Sequence, residues 1–531
     1  MFHAGTKMDS ALKPIPEKQP GSIGPSSGDL TSAVTVSRGA SYLTFQTIVT
    51  SVAQVLAFAI LARLITPAEV GILAILSLIT ALSQSLNGAA FSTAATTFVG
   101  ELASDSRAAA SAIFYQTLRV ALLFSTPISA FILLAAPAIA SLLLGSMAQA
   151  GLFRALAIDV LVYSGALPVA IGTLLGIKRF KEAATIGSAG IILRQCLIVL
   201  LIILMRNLVG LVIGWILSDL AMLGAYVGFI IRVLGFPKKT FSLRRLITFS
   251  WPLSIGNVVS FVSGWFDRAL LIAFVPLASL GIYNASLTAF NVLSGITTSV
   301  NNALLPAYAN IHGRSGLESC RKATWLASRY ASFAMVPLSF GLLATAKVAL
   351  TTFVGQAYVG GTDSLAILSF FFAVTAFGSV LGNMLYALSE TRMVLWITVA
   401  SVLLAVASEY ALLPLMGITG AAIARGLVMV VSLGLTVIVL KRKNAVSIDL
   451  TTLWKTLVAG AVMAGVLVLV QMVFYGAILL PAYIVLGGIV YLAALRLLKA
   501  LREHDIELIR RYLGTRLSFA SKLLGAMLVA D

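Results

Sequence analysis

Charge is scarce along this chain. Of its 531 residues, 37 are Lys or Arg and 19 are Asp or Glu, so charged residues make up 11% of the sequence, where a soluble domain carries about a quarter. Apolar residues reach 59%. That balance excludes a soluble enzyme and a disordered protein and points to an integral membrane protein. Cysteine is nearly absent: Cys196 sits in an apolar run and Cys320 in a basic loop, which excludes a secreted disulfide scaffold. Histidine occurs only as His3, His312 and His504, each in a polar segment. Haem ligation, a histidine metal site and a histidine proton relay within the membrane are thereby excluded, and the sequence calls for no cofactor. The net charge of +18 is not a nucleic-acid signal. The cations punctuate long apolar stretches and do not cluster with aromatics in a soluble domain.

What is present is a series of spans. Residues 1–36 are polar, rich in Gly, Pro and Ser, and lack an apolar h-region; they read as a disordered cytoplasmic tail and not as a signal peptide. Beyond them, a hydrocarbon core of about 30 Å needs about 20 helical residues per crossing. By that ruler the chain is all-α, with about 14 transmembrane helices. Six form an N-terminal lobe over 37–246, six a C-terminal lobe over 247–445, and two more follow over 446–500. In 501–531, Ile506, Ile509, Leu513, Leu517 and Leu523 can share one face of a helix, with Arg502, Arg510, Arg511 and Arg516 elsewhere around it. That is the pattern of an amphipathic interfacial helix. With this span count, 30 Lys and Arg residues fall on the side of the N-terminus and four (Arg63, Arg154, Arg206 and Lys347) on the other. The positive-inside rule then places both termini in the cytoplasm.

The chain also repeats. Gly71-Ile72 matches Gly281-Ile282, Gly145 matches Gly355, and Gly172-Thr173-Leu174-Leu175 matches Gly382-Asn383-Met384-Leu385, each pair 210 residues apart. Six spans separate the equivalents, so the two lobes form a parallel repeat about an axis normal to the membrane, an arrangement in which two lobes can rock about a central site.

Polar residues follow the repeat. The first two spans of each lobe carry stripes at i, i+3, i+7 and i+10: Thr44, Thr47, Ser51 and Gln54; Ser77, Thr80, Gln84 and Asn87; Asn257, Ser260, Gly264 and Asp267; Thr288, Asn291, Gly295 and Thr298, extended to Asn302. Small and hydroxylated residues also let helices pack closely, but Gln84, Asn87, Asn257 and Asp267 are large and polar for that purpose. The stripes therefore predict a water-filled central cavity, with Gln54, Gln84, Asn87, Asn257, Ser260, Asp267, Arg268 and Asn291 as substrate-binding candidates. Among the intramembrane charges, Arg194 and Asp219 are equidistant from the turn at 206–207, and Glu409 and Arg425 from a turn near 417. Equal depth predicts two structural ion pairs, with a coupling-ion relay as the functional alternative. Asp267 and Arg268 find no such partner across their turn, so water, another helix or a substrate must offset them. The planar guanidinium of Arg268 suits a phosphate. At Thr66-Pro67-Ala68-Glu69 the spacing predicts a capping box that starts the second span.

These residues also carry a family likeness. The stretch Leu61-Ala62-Arg63-Leu64-Ile65-Thr66-Pro67-Ala68-Glu69-Val70-Gly71 resembles the first-turn signature of bacterial polysaccharide/O-antigen repeat-unit flippases. These form the polysaccharide transport family of the multidrug/oligosaccharidyl-lipid/polysaccharide exporter superfamily. The likeness continues at Phe249-Ser250-Trp251-Pro252-Leu253, Asp267-Arg268 and Gly281-Ile282-Tyr283-Asn284-Ala285, and spans roughly 37–440. The resemblance implies a V-shaped cavity between two lobes and alternating access. Its implied cargo is a polyprenyl-diphosphate-linked oligosaccharide moved from the cytoplasmic to the outer leaflet of the bacterial inner membrane, for exopolysaccharide or lipopolysaccharide biosynthesis. Glycosyltransferases and a polysaccharide polymerase are implied as partners besides membrane lipids, and a monomer is expected. The two extra C-terminal helices resemble the lipid II flippase branch. The first-span stripe, however, lacks arginine, which favours an O-antigen or exopolysaccharide unit over lipid II. A cation-coupled multidrug exporter of the same fold would favour a carboxylate in the N-terminal stripes, which have none. A membrane glycosyltransferase or polymerase would want acids or histidines on a sizeable outward domain, yet the longest outward loop, 136–152, has neither. The sequence thus points to a carrier and not to an enzyme.

Overall fold

The computed structural model describes residues 27–102, 106–237, 241–375 and 377–500. Every regular element among them is helical, as lipid requires when each backbone N–H and C=O must be satisfied within its own segment. In order they are α1 (Ser27–Leu64), α2 (Pro67–Ser83), α3 (Ala89–Leu102), α4 (Arg107–Leu144), α5 (Ala150–Val160), α6 (Leu167–Gly176), α7 (Phe180–Met205) and α8 (Leu208–Leu234). The second half continues with α9 (Leu243–Phe274), α10 (Leu277–Ala344), α11 (Ala346–Phe353), α12 (Thr362–Val374), α13 (Gly378–Ala387) and α14 (Thr391–Arg442). Two last helices follow, α15 (Leu450–Val473) and α16 (Leu480–Leu497). Two π-helical turns, Gln84–Gly88 and Leu161–Ala166, join α2 to α3 and α5 to α6.

Two boundaries differ from the sequence expectation. Helix α1 already begins at Ser27, inside the segment read as a disordered tail over 1–36; residues 1–26 lie outside the described residues, as does the interfacial helix expected over 501–531. Helix α9 begins at Leu243, so the lobe boundary drawn between 246 and 247 falls within it. Ser242, whose hydroxyl accepts from the Arg245 amide, sets the start.

Among the described residues, eleven helices are long and apolar enough to cross a membrane, or 12 when the bent α9 counts as one span. The expected 14 is not reached by this measure, and the reasons are local. Helix α14 counts once, although its 52 residues would extend about 78 Å if straight. Gly417 adopts φ +55° within it, and Gly420 abuts the Leu412 carbonyl, a contact that a straight helix forbids across eight residues; the helix folds back on itself. Helix α10 folds back likewise at Gly316, φ +74°, which brings Cys320 Sγ within 3.5 Å of the Tyr308 carbonyl. Within α10 only the stretch Asn310–Ala344, which includes Gly316, is apolar enough to count; the polar stripe lies before it.

The start of α2 follows from its sequence. Thr66 Oγ1 accepts from the Glu69 amide at 3.3 Å, and the Thr66 amide donates to Glu69 Oε2 at 2.7 Å, a closed capping box with Pro67 in the first turn. Four residues on, the lobes meet. A Cβ on Gly71 would lie 2.1 Å from the Leu277 carbonyl oxygen, and one on Gly281 would lie 1.8 Å from that of Pro67. Since 277 and 281 are the 210-residue equivalents of 67 and 71, the contact is reciprocal, as at a two-fold axis. Around it the largest apolar cluster crosses between lobes, with Val70, Leu73 and Ile75 of α2 joined by Leu280, Tyr283 and Leu287 of α10. At the opposite, basic-loop end α3 meets α9. There Phe98 packs on Phe249 and Phe241 at 4.9 and 5.4 Å, and Arg245 pairs with Glu101 at 3.0 Å, beside a cavity of about 660 Å³. Helices α15 and α16 dock on α10 through Val336, Phe340, Met463 and Tyr491.

Candidate functional site

Three of the four stripes have exposed members; the side chains of Thr298 and Asn302 lie outside the described residues. Thr44, Thr47, Ser51 and Gln54 on α1 are exposed, as are Ser260 and Gly264 on α9 and Asn291 and Gly295 on α10; Asn257 is half-buried. Gly264 and Gly295 have nothing within 4 Å of a Cβ position. Helix α9 bends by 54° between Leu243–Val262 and Gly264–Phe274.

The second-span stripe is a correction. Asn87 does not line open space: it is 2% exposed and donates through Nδ2 to the carbonyls of Ala121 (3.0 Å) and Ser164 (3.2 Å) and to the Ser125 hydroxyl. Thr80 is buried and bonded to the Ser77 carbonyl; Gln84 is half-buried, its Oε1 without a hydrogen-bond donor. The π-helical turn rotates this stretch off the regular i, i+3, i+7 register and turns Asn87 into a tie between α2, α4 and the second π-turn.

The charges give a second correction. Arg425 does not pair with Glu409. Its Nη1 donates to Asp267 Oδ2 at 2.5 Å. Equal depth on a hairpin is insufficient when side chains project from different sides of their helices, and Arg425 projects toward α9. Asp267 is accordingly no open ligand. It is 4% exposed, and besides Arg425 it accepts from the Tyr283 hydroxyl at 3.3 Å and from the Arg268 amide at 2.8 Å. Glu409 is buried nearby with no hydrogen-bond partner for Oε2. Arg268 stands differently. Its guanidinium lies 4.3 Å over the Trp265 ring, Trp265 stacks on Phe261, and its Nε has no hydrogen-bond partner among the described residues. Asp267 is thus paired with Arg425, and the Arg268 guanidinium rests on an aromatic face.

In the other lobe, Arg194 Nη1 lies 3.3 Å from both oxygens of Asp219, and its guanidinium lies over Trp215 and Tyr163. Sequence reading passed over Asp159, which is fully buried beside this pair; a lone acid in an apolar span was the available signal. It also passed over Arg329. That residue, counted among the loop cations, is 2% exposed and donates to Asp449 Oδ2 (2.8 Å), Thr452 Oγ1 (2.9 Å) and the Ala500 carbonyl (3.0 Å).

This geometry has relatives. The fold is similar to that of the lipid II flippase MurJ in an inward closed conformation, at TM-score 0.70 and 14% identity over 89% of this chain and 99% of that one. It is also similar to an inward-facing multidrug resistance MATE transporter of the MOP superfamily, at TM-score 0.57 and 16% identity over 79% and 95% of the two chains. The MATE transporter VcmN of Vibrio cholerae gives TM-score 0.55 and 12% identity, over 78% and 98%. No curated protein matches the sequence. A family model described as polysaccharide biosynthesis protein matches residues 60–362. That stretch holds α2 through α11 with the reciprocal glycines and Arg268, and by it this multi-pass membrane chain belongs to the polysaccharide biosynthesis protein family.

Proposed function

We propose that the protein is a flippase that carries polyprenyl-diphosphate-linked oligosaccharide repeat units across the bacterial cytoplasmic membrane by alternating access. Both termini face the cytoplasm in this reading, and glycosyltransferases and a polymerase act before and after it. The observation that carries the reading is Arg268: a guanidinium on the bent α9, stacked on Trp265, with Asp267 already committed to Arg425. A diphosphate sugar headgroup cannot cross hydrocarbon unaided, whereas its polyprenyl tail can stay in lipid. A guanidinium suits the diphosphate, an aromatic face and the amides of Gln54, Asn257 and Asn291 suit the sugar, and open helix faces admit both. The multidrug alternative would be favoured by a free carboxylate in the polar stripes, and the one acid there, Asp267, is buried against Arg425. The two C-terminal helices and the similarity to MurJ keep lipid II as the second candidate cargo.

Deleting the gene is expected to strand undecaprenyl-linked repeat units on the inner leaflet. Complementation with Arg268→Ala should restore export at a rate at least tenfold below wild type, as loss of one charged hydrogen bond of about 1.5–3 kcal/mol implies. Export at the full rate by that variant would remove Arg268 from the site.

A further inference from the structure

We propose that Asp159 and Asp219 form, inside the N-terminal lobe, a binding site for a single exchangeable proton. Asp159 lies on α5 and Asp219 on α8; both are fully buried and within hydrogen-bond reach of each other. Neither oxygen of Asp159 has a hydrogen-bond donor among the described residues. Asp219 has one in Arg194 of α7, 3.3 Å from both of its oxygens. The guanidinium is held from its faces by Trp215 at 4.8 Å and Tyr163 at 5.2 Å. One cation therefore faces two carboxylates in an apolar enclosure. Carboxylates this close do not both ionise when only one charge is offset. One proton restores balance: the carboxyl O–H of one aspartate donates to the carboxylate of the other, and Arg194 neutralises the remaining negative charge. Among the described residues no set of three His, Cys, Asp or Glu is placed to hold a metal ion, so the donor set suits a proton better.

Among the described residues, Arg194 is the one cation that acts on the pair; Arg154, five residues before Asp159 on α5, is exposed. Helix α7 supplies Arg194, α8 supplies Asp219, and the π-turn supplies Tyr163. On α4, which packs on α5, Ser129 donates to the Ala157 carbonyl at 2.6 Å. The nearer of its two charges, Arg119, is ten residues from Ser129, roughly 15 Å along a helix. On α2 the one charge is Glu69, in the first turn.

The position of the proton gives it consequence. Asp159 immediately precedes the π-turn Leu161–Ala166, whose Ser164 carbonyl accepts from Asn87 of the other π-turn at 3.2 Å. That second turn packs on α9 of the opposite lobe. A change in the α5–α8 contact thus has a continuous packed route to the lobe interface, through two turns whose wide hydrogen-bond rings can exchange register. The enclosure is least closed at Arg194, whose side chain is 13% exposed while that of Asp219 is fully buried.

Infrared difference spectroscopy of the full-length protein in lipid, titrated in water and in deuterium oxide, tests this without knowledge of the cargo. The expected result is a carboxylic-acid band that vanishes as pH rises and shifts on deuteration, and that in Glu409→Gln, which removes the buried acid of the other lobe, is worth one group per protein. That one group should be lost in Asp159→Asn and in Asp219→Asn. In Arg194→Gln the lost cation should leave two protonated groups. Should either Asn variant fail to fold, the wild-type titration and the Arg194→Gln count still decide. No titrating band in the wild type, a band that never exchanges, or one undiminished in both Asn variants overturns the proposal.

Discussion

Asp267 shows how one neighbour redefines a residue. By depth alone it reads as an unpaired acid facing water. With Arg425 at 2.5 Å, Tyr283 at 3.3 Å and the Arg268 amide at 2.8 Å, it is a clamp between α9, α10 and α14. Breaking a buried pair leaves an uncompensated charge, whereas replacing both members with apolar residues can be neutral. Arg425→Met is therefore expected to destabilise the protein by about 3–5 kcal/mol, read as a fall in detergent-solubilised melting temperature. The double variant Asp267→Leu/Arg425→Met should recover most of it, and a double variant as unstable as the single one would refute the clamp. The i, i+3, i+7 spacing identified Asp267 and Arg268 as residues to explain. It could not name Arg425 as the partner, because that contact joins residues 158 positions apart and periodicity carries no information about which helix faces which.

Elements obey their sequence where the determinants are local. The Thr66–Glu69 capping box lies within four residues, and the Gly71 and Gly281 repeat was visible as a 210-residue offset. What that offset meant was not visible: the two glycines let each α2/α10 backbone approach the carbonyl of the other's first turn. A methyl group at 2.1 Å from Leu277 O or 1.8 Å from Pro67 O has no flexible side chain to displace, so the helices must separate. Gly281→Ala, and more so Gly71→Ala/Gly281→Ala, is expected to reduce cysteine cross-linking between 67 and 277 at least severalfold and to lower transport, while each lobe keeps its helical circular dichroism. Unchanged cross-linking in the double variant would show that the lobes do not pivot there. The reverse failure came from the π-turn at Gln84–Gly88. One extra residue per turn shifts everything after it, and a stripe extrapolated through it put Asn87 on the wrong side.

At the scale of the whole molecule, the last two helices are fastened by one buried arginine. Arg329 bonds Asp449, Thr452 and Ala500 together. Burial raises the Asp449 carboxyl, but hydrogen bonds from the Thr452 hydroxyl and amide and from Arg329 outweigh it and hold the group below the usual carboxylate range. A depressed native value means that ionised Asp449 stabilises the fold above the unfolded value of about 3.9, and that this share is lost as pH falls below it. Wild type should therefore lose melting temperature below about pH 4. Asp449→Asn should melt lower at neutral pH and lack that part of the acid decline; parallel pH profiles would count against the fastening.

Composition and spacing by themselves determined that the chain lives in a bilayer as a bundle of apolar helices, that its halves repeat, and where α2 begins. These follow from hydrophobicity, helical period and capping, which act within a few turns of chain. Only the tertiary structure decided that α10 and α14 each fold back at a glycine, that Asn87 ties helices together, that Asp267 belongs to Arg425, and that Asp159 shares an enclosure with Asp219 and Arg194. The fold-backs turn on one glycine of positive φ each, whereas the other three depend on helix faces brought together across more than 20 residues of sequence. In lipid, where apolar surface favours no particular neighbour, small residues and buried polar groups make that choice, and their partners lie elsewhere in the chain.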